Sequence, residues 1–263
     1  MSTAPGLFSD GKAYERLMGR WSQRVAIPFI DWLGLPKGLR WLDVGCGNGA
    51  FTETLIARAV PQEVEAIDPS EGQIAYARTR PGAKMARFQT GSAQELPFPQ
   101  HRFDASIMAL VITFVPDAQK AVQELARVTR RGGMVATYMW DTFGGGLPME
   151  PIHAAIRSLG VSNPHSPGFE ASREDRLRAI WHGAGLQSVE TRVIRIKVEY
   201  ADFDDFWTSN AVPVGPAGQA ILRLQPGQRD ELKARLLERL PVAADGTISY
   251  EAHANAIKGL VTS

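Results

Sequence analysis

Apolar residues along this chain recur with two periods, and their alternation sets out the fold. Residues 41–44, 63–68, 85–89, 103–110 and 133–141 are short, mostly apolar runs bounded by turn residues, the pattern of strands buried on both faces of a sheet. Between them the spacing changes to three or four. Phe51, Leu55, Ile56 and Ala59 follow the first run, Ile74, Ala75 and Ala77 the second, and Ala118, Val122, Leu125 and Ala126 the fourth, each predicting a helix with one buried face. Ser70 with Gln73 predicts a capping box, and Pro116 with Asp117 a helix start; Arg130, Arg131 and Gly132 predict a helix stop. Strand then helix, five times over, implies right-handed crossovers and a doubly wound parallel sheet.

Either side of this core the pattern changes. Tyr14, Leu17, Met18, Trp21, Val25, Phe29, Trp32 and Leu33 recur at helical spacing, and Gly19 and Pro28 are expected to divide residues 12–33 into two short helices forming a lid. Residues 142–170 are rich in Gly, Pro, Ser and His, the composition of an insertion beside the strand ends. His153 and His165 lie there, where a loop histidine is ordinarily just solvated. Residues 173–183 return to a helix burying Leu177, Ile180 and Trp181. Residues 187–199 read as a strand whose apolar parity slips between Val193 and Ile194, predicting a bulge. Residues 201–240 read as a helical insertion broken at Pro213, Pro216 and Pro226. Asp245-Gly246 makes a turn, and Ile248, Tyr250, Ala252, Ala254 and Ala256 alternate as a last strand. The expected organisation is one domain, with a lid over 1–38, a core over 39–141, and insertions with closing strands over 142–263.

Composition narrows the partners. With 263 residues, 44% hydrophobic and 22% charged, the chain is an ordinary globular one. A formal charge of +1 gives no field that draws it to nucleic acid or an anionic membrane. The apolar run 107–115 falls far short of the roughly 20 residues that span a bilayer, and the first ten residues do not resemble a signal peptide, so a cytoplasmic protein is expected. A single cysteine, Cys46, excludes an internal disulfide, and the scattered histidines point to no metal.

The chemistry centres on W-L-D-V-G-C-G-N-G, residues 41–49. Gly45, Gly47 and Gly49 leave the backbone bare where a strand turns into a helix, and the free amides of that helix start face whatever lies above. Gly45, Gly47 and Ala50 also fit G-x-G-x-x-G/A, which seats a dinucleotide pyrophosphate. Asp43 separates the alternatives: a carboxylate beside a pyrophosphate is unfavourable, whereas it suits a ligand carrying an ammonium group. Asp68 ends the second strand 23 positions beyond Gly45, the spacing at which an acid reaches the hydroxyls of an adenosine ribose.

D-V-G-C-G-N-G resembles the first motif of the class I S-adenosylmethionine (SAM) methyltransferases, and the likeness continues to about Trp140, closest to the small-molecule branch. The resemblance implies a Rossmann-like α/β fold: a doubly wound, mostly parallel seven-stranded sheet closed by an antiparallel pair, with a helical N-terminal lid and helical insertions. It implies a cofactor site of Tyr14, Arg20, Asp43, Gly45, Cys46, Gly47, Asn48, Gly49, Asp68, Pro69 and Ser70. Ser92, Ala93 and Gln94 are added from the loop that closes over adenine, and Ala109, Leu110 and Phe114 from the end of the fourth strand. Ser92 stands where an acid is common in the family, and Ala109 where many relatives are polar. The expected cofactor is SAM, leaving as S-adenosylhomocysteine (SAH), and the expected partner a small-molecule methyl acceptor.

Transfer from SAM is an in-line displacement, and a base is needed only where the acceptor holds a proton. Tyr14, Tyr138 and His165 are candidates by location alone, so the catalytic residue is left open. Tyr138, Trp140 and Asp141 come at the ligand end of the fifth strand and are candidates to line an acceptor pocket. Two rivals stand beside the enzyme reading: a non-catalytic SAM-binding regulator, and an NAD(P)-dependent oxidoreductase on the same fold.

Overall fold

A computed structural model describes residues 15–161, 168–213 and 215–262. A π-helical turn, Glu15–Gly19, runs straight into helix α1, Arg20–Leu33. The expected break at Pro28 does not occur. Val25, Ala26, Phe29, Ile30 and Leu33 form one buried stripe across it. Each large apolar side chain so buried is worth about 1.5 to 3 kcal/mol, and together they outweigh the roughly 3 kcal/mol of an interior proline.

The core follows the alternation of the sequence except between its third and fourth strands, which are joined through a turn and loop where a helix is expected. Strand β1 (Arg40–Val44) leads to α2 (Ala50–Ala59), β2 (Glu63–Asp68) to α3 (Glu71–Ala77), and β3 (Arg87–Thr90) to β4 (Phe103–Ala109), α4 (Ala118–Val128) and β5 (Thr129–Trp140). These five strands pair in parallel. β3 begins two residues later than expected, after a 3-10 turn at Pro81–Ala83, and Met85 is exposed. Then come α5 (Glu150–Ser158), α6 (Glu174–Gly183), β6 (Gln187–Tyr200), α7 (Phe203–Asn210), α8 (Gly215–Arg223), α9 (Pro226–Arg239) and β7 (Ile248–Leu260). The seven strands lie in the order β3-β2-β1-β4-β5-β7-β6, with β7 antiparallel to both its neighbours. β1 pairs with both β2 and β4, so the sheet order reverses beside it, and ligands of such sheets bind at the carboxyl ends of the strands around that point.

The bulge expected between Val193 and Ile194 is absent, since the β6–β7 register runs unbroken from Glu190 opposite Lys258 to Tyr200 opposite Ile248. The strand changes its buried face instead. Thr191, on one face, bonds Glu174 and Arg178 of α6; Tyr200, on the other, packs edge-on against Trp21 of α1. The single register shift falls between Gln187 and Glu190, where Ser188 takes a positive φ of 49°. His153 is on α5, half-buried, and not in a loop. Among the described residues no helix is long and apolar enough to cross a membrane.

Candidate functional site

Three glycines turn the chain from β1 into α2, and each sits at positive φ: Gly45 at 74°, Gly47 at 52° and Gly49 at 80°. At Gly45 a Cβ would stand 2.5 Å from the Val111 side chain, so only glycine lets the turn close against the segment after β4. At Gly47 a Cβ would meet nothing within 4 Å, which makes this the open face of the turn. The turn is tied to its neighbour strand. Gly45 and Cys46 amides donate to the Ile67 carbonyl at 2.7 and 3.1 Å, and the Gly47 amide donates to Asp68 Oδ2 at 2.9 Å. Asp68 Oδ1 accepts the Ser70 amide at 2.9 Å, while Ser70 caps α3 by accepting from the Gln73 amide. One carboxylate thus fixes the glycine turn and the start of the next helix together.

Asp43 lies below the turn with no exposure at all. Its Oδ2 accepts the Thr52 hydroxyl at 2.6 Å, and its Oδ1 is buried with no hydrogen-bond partner among the described residues. Burial pushes its pKa up to about 7; the Thr52 bond opposes the rise and the charge of Asp68 adds to it. Asp68 is raised by burial as well, against the amides of Ser70 and Gly47. Burial, and then the charges of Asp43 and Asp68, hold the Cys46 thiol well above its ordinary range, so it is a protonated, inert side chain at neutral pH.

A charged brace grips the other side of the turn. Arg80, 8% exposed, donates from Nε to the Asn48 carbonyl at 2.6 Å, from one terminal nitrogen to Glu53 Oε2 at 3.0 Å, and from the other to Glu15. Asn48 completes the ring, its Nδ2 reaching Glu15 at 2.6 Å and its Oδ1 accepting the Ala50 amide at 3.2 Å. The Glu15–Gly19 turn is thereby fastened to the glycine turn.

The structure gathers most of the expected cofactor residues at the carboxyl ends of β1 to β4. Asp43, Gly45, Cys46, Gly47, Asn48 and Gly49 form the turn, with Asp68, Pro69 and Ser70 across from it. Ser92, Ala93 and Gln94 lie in a tight turn just past β3: Ser92 accepts the Gln94 amide at 3.2 Å, and the preceding Gly91 amide donates to the Asp68 carbonyl at 3.1 Å. Ala109 ends β4. Leu110 follows at φ 60°, its amide bound to the Tyr138 carbonyl, and Phe114, 44% exposed, ends the 3-10 turn Ile112–Phe114.

Other candidates sit elsewhere. Arg20 lies between the rings of Trp21 and Tyr200, each 4.4 Å away, and bonds Ser209 at 3.1 Å and Asp205 at 3.5 Å. Tyr138 is fully buried, its ring 4.5 Å from that of Phe29 and 6.0 Å from that of Phe51, and Trp140 is 1% exposed. Tyr14 and His165 fall outside the described residues. No group of three or more His, Cys, Asp or Glu side chains placed to hold a metal ion occurs among the described residues. Sequence reasoning missed Glu15, Thr52, Glu53 and Arg80. Of these only Thr52 had a signal, a polar residue on the buried face of α2 opposite a buried acid.

The arrangement fits the methionine and adenosine parts of SAM. An open glycine face, an acid at the end of β2 and a buried, half-satisfied carboxylate under the turn are what an amino acid joined to a nucleoside calls for. Residues 42–137 match the family described as "Methyltransferase domain". Residues 42–137 of this chain thus resemble a methyltransferase domain. Around that domain the chain is 33% identical over 117 residues to 2-methyl-6-phytyl-1,4-hydroquinone methyltransferase 2 of Oryza sativa subsp. japonica, covering 44% of this chain and 34% of that one. It is 31% identical over 146 residues to the malonyl-[acyl-carrier protein] O-methyltransferase of Methylococcus capsulatus, covering 55% and 52%. The chain therefore spans about a third to a half of the length of these curated relatives. Among solved structures, phosphoethanolamine N-methyltransferase 2 of Haemonchus contortus, in complex with phosphomonomethylethanolamine and S-adenosylhomocysteine, superposes with a TM-score of 0.59 at 18% identity. That match covers 96% of this chain and 57% of the other and shows a shared fold. The family match thus ends within β5, and α5 to β7 lie outside it.

Proposed function

We propose that the whole protein transfers a methyl group from SAM to a small-molecule acceptor. The observation that carries this is the seat around Gly47: an open glycine face, with Asp68 bonded to the Gly47 amide on one side and Asp43 buried beneath. SAM, when bound, supplies a methyl already activated by its sulfonium, so the chain has to hold, align and keep water out. Asp68 would take the ribose hydroxyls through the lone pairs left over from its two amide bonds. The residues 92–94 turn would border the adenine, and Ala109, Leu110 and Phe114 the reacting end. Asp43 would favour an amino group above the turn, directly or through the turn it supports. The relatives named above act on a hydroquinone and on a carrier-bound malonyl group, which supports methylation without fixing this acceptor.

Calorimetric titration with SAM, SAH and NADH tests the reading. Micromolar binding of the first two with no comparable binding of NADH is expected, because a doubly negative pyrophosphate near Asp43 and Asp68 costs several kcal/mol. Tight NADH binding without SAM binding would return the site to an oxidoreductase. SAM binding without methyl transfer to any metabolite in a broad panel would favour a regulator.

A further inference from the structure

We propose that His253, held by Asp141, is the base that takes the proton of a phenolic acceptor at the carboxyl edge of the sheet; this rests on the methyl-transfer reading and gives its acceptor a chemical class. Asp141 directly follows β5, and His253 lies beside it on β7. The Asp141 amide donates to the His253 carbonyl at 3.1 Å, and His253 Nε2 stands 3.3 Å from Asp141 Oδ2. Oδ1 accepts the Gly144 amide at 2.9 Å, which fixes the plane of the carboxylate. Gly146 closes this turn by donating to the Asp141 carbonyl at 2.7 Å and accepting from the His253 amide at 2.9 Å. A Cβ on Gly146 would stand 2.3 Å from the His253 carbonyl, so the close approach needs glycine there.

An imidazole bound to a carboxylate through one nitrogen presents the other. On His253 that second nitrogen has no hydrogen-bond partner among the described residues, and the pair is reachable, with side-chain exposures of 22% and 19%. Its other charged neighbour, Arg195, lies opposite on β6 and is paired with Glu251 at 3.1 Å. Asp141 is therefore the group that supports a positive imidazolium.

The same edge carries an aromatic wall. Phe143, two residues past Asp141 and 48% exposed, stacks on Phe169 with centroids 5.1 Å apart and planes at 21°. Phe169 opens the 3-10 turn Phe169–Ser172, whose Ser172 carbonyl accepts from Asn255, on the same sheet face as His253. The wall is joined to the cofactor seat. Thr113 contacts Met139 of β5 and binds the Gly168 amide, and two residues before it Val111 packs under Gly45. Two strand spacings, about 10 Å across the width of β5, separate the end of β4 from the β7 backbone that carries His253. The step is a proton transfer alone: the phenol O–H bond breaks, an N–H bond forms on the imidazole, and oxygen keeps the electron pair as phenolate beside an imidazolium paired with Asp141.

4-Nitrophenol is the probe, because its phenolate absorbs visible light and the neutral phenol does not. It is added to SAH-saturated protein at a pH slightly acid of the probe's own midpoint, where most of it is neutral in solution. The wild type is expected to show a phenolate-to-phenol ratio for the bound probe about tenfold higher than that of His253→Asn or His253→Gln, equivalent to one pKa unit. Asp141→Asn should fall between, with SAH affinity and unfolding midpoint unchanged in all three variants. Equal phenolate fractions in wild type and both His253 variants, or no probe binding by the wild type, would overturn the proposal. Failure of the wild type to bind SAH would instead remove the methyl-transfer reading beneath it.

Discussion

Replacing Asp43 by Asn should make the unliganded protein more stable above neutral pH. Asp43 is fully buried, one oxygen bonded to Thr52 and the other without a partner, and its pKa is pushed up to about 7 from an ordinary value of 3.8. Such a displacement means that ionising the buried group costs on the order of 4 kcal/mol relative to ionising it in the unfolded chain. The sign follows from proton counting. Between about pH 4 and about pH 7 the folded state holds the proton and the unfolded state has lost it, so this residue's contribution to stability falls as pH rises and levels off above the folded pKa. Asparagine keeps the Thr52 bond through its carbonyl and carries no charge. The difference in unfolding free energy, Asp43→Asn minus parent, should be near zero at about pH 4 and grow to a few kcal/mol by about pH 8. Urea denaturation of both proteins without cofactor, at a series of pH values, measures it. A difference that stays flat across the range, or a parent that gains on the variant as pH rises, would refute the burial argument.

Four further outcomes are expected. Asp68→Ala should weaken SAM binding by roughly tenfold to a hundredfold or more, from lost charge-assisted bonds of about 1.5 to 3 kcal/mol and a loosened glycine turn; equal calorimetric affinities would take Asp68 out of the site. Because an ammonium above the turn favours the ionised carboxylate, SAM binding near pH 6 should release protons from Asp43, seen as a buffer-dependent enthalpy that Asp43→Asn loses. Cys46 should resist iodoacetamide in the folded protein, and Cys46→Ala should keep SAH affinity; rapid alkylation at neutral pH contradicts its buried, protonated state. Arg80→Met should lower stability by about 1 to 3 kcal/mol, the cost of a largely buried ion pair discounted for its half-exposed acids, and should speed hydrogen exchange at residues 45–50; unchanged exchange would mean that the brace is idle.

The parallel core was legible because its residues obey one local rule at a time. Val64, Ala66 and Ile67, and Ala105, Ile107 and Met108, place apolar residues on both faces of their strands, as a sheet covered on both sides requires, and the glycines after Val44 mark a turn needing positive φ. Pro28 and the parity slip at Val193 misled for the same physical reason. Both are local signals overruled by packing: the stripe of α1 holds across the proline, and β6 meets α6 on one face and α1 on the other. The seat's backbone residues could be read from spacing, but Arg80 and Glu15 could not, being 65 positions apart and brought together only by the fold. The Asp141 and His253 pair was hidden in the same way, separated by 112 positions until β7 pairs antiparallel with β5.

The braces of the glycine turn also bear on the order in which the molecule comes into being. Glu15, Asn48, Glu53, Ile67, Asp68 and Arg80 all belong to the first third of the chain, and every hydrogen bond among them spans 65 positions or fewer. Contacts confined to this stretch can all form without any later strand. During synthesis from the N-terminus, the brace around the turn has all its parts while the β7 strand that brings His253 to the edge is still untranslated. The seat is then ready before the acceptor end has been made. A truncated chain lacking residues beyond about 140 would keep the turn's braces but never the second half of its pocket.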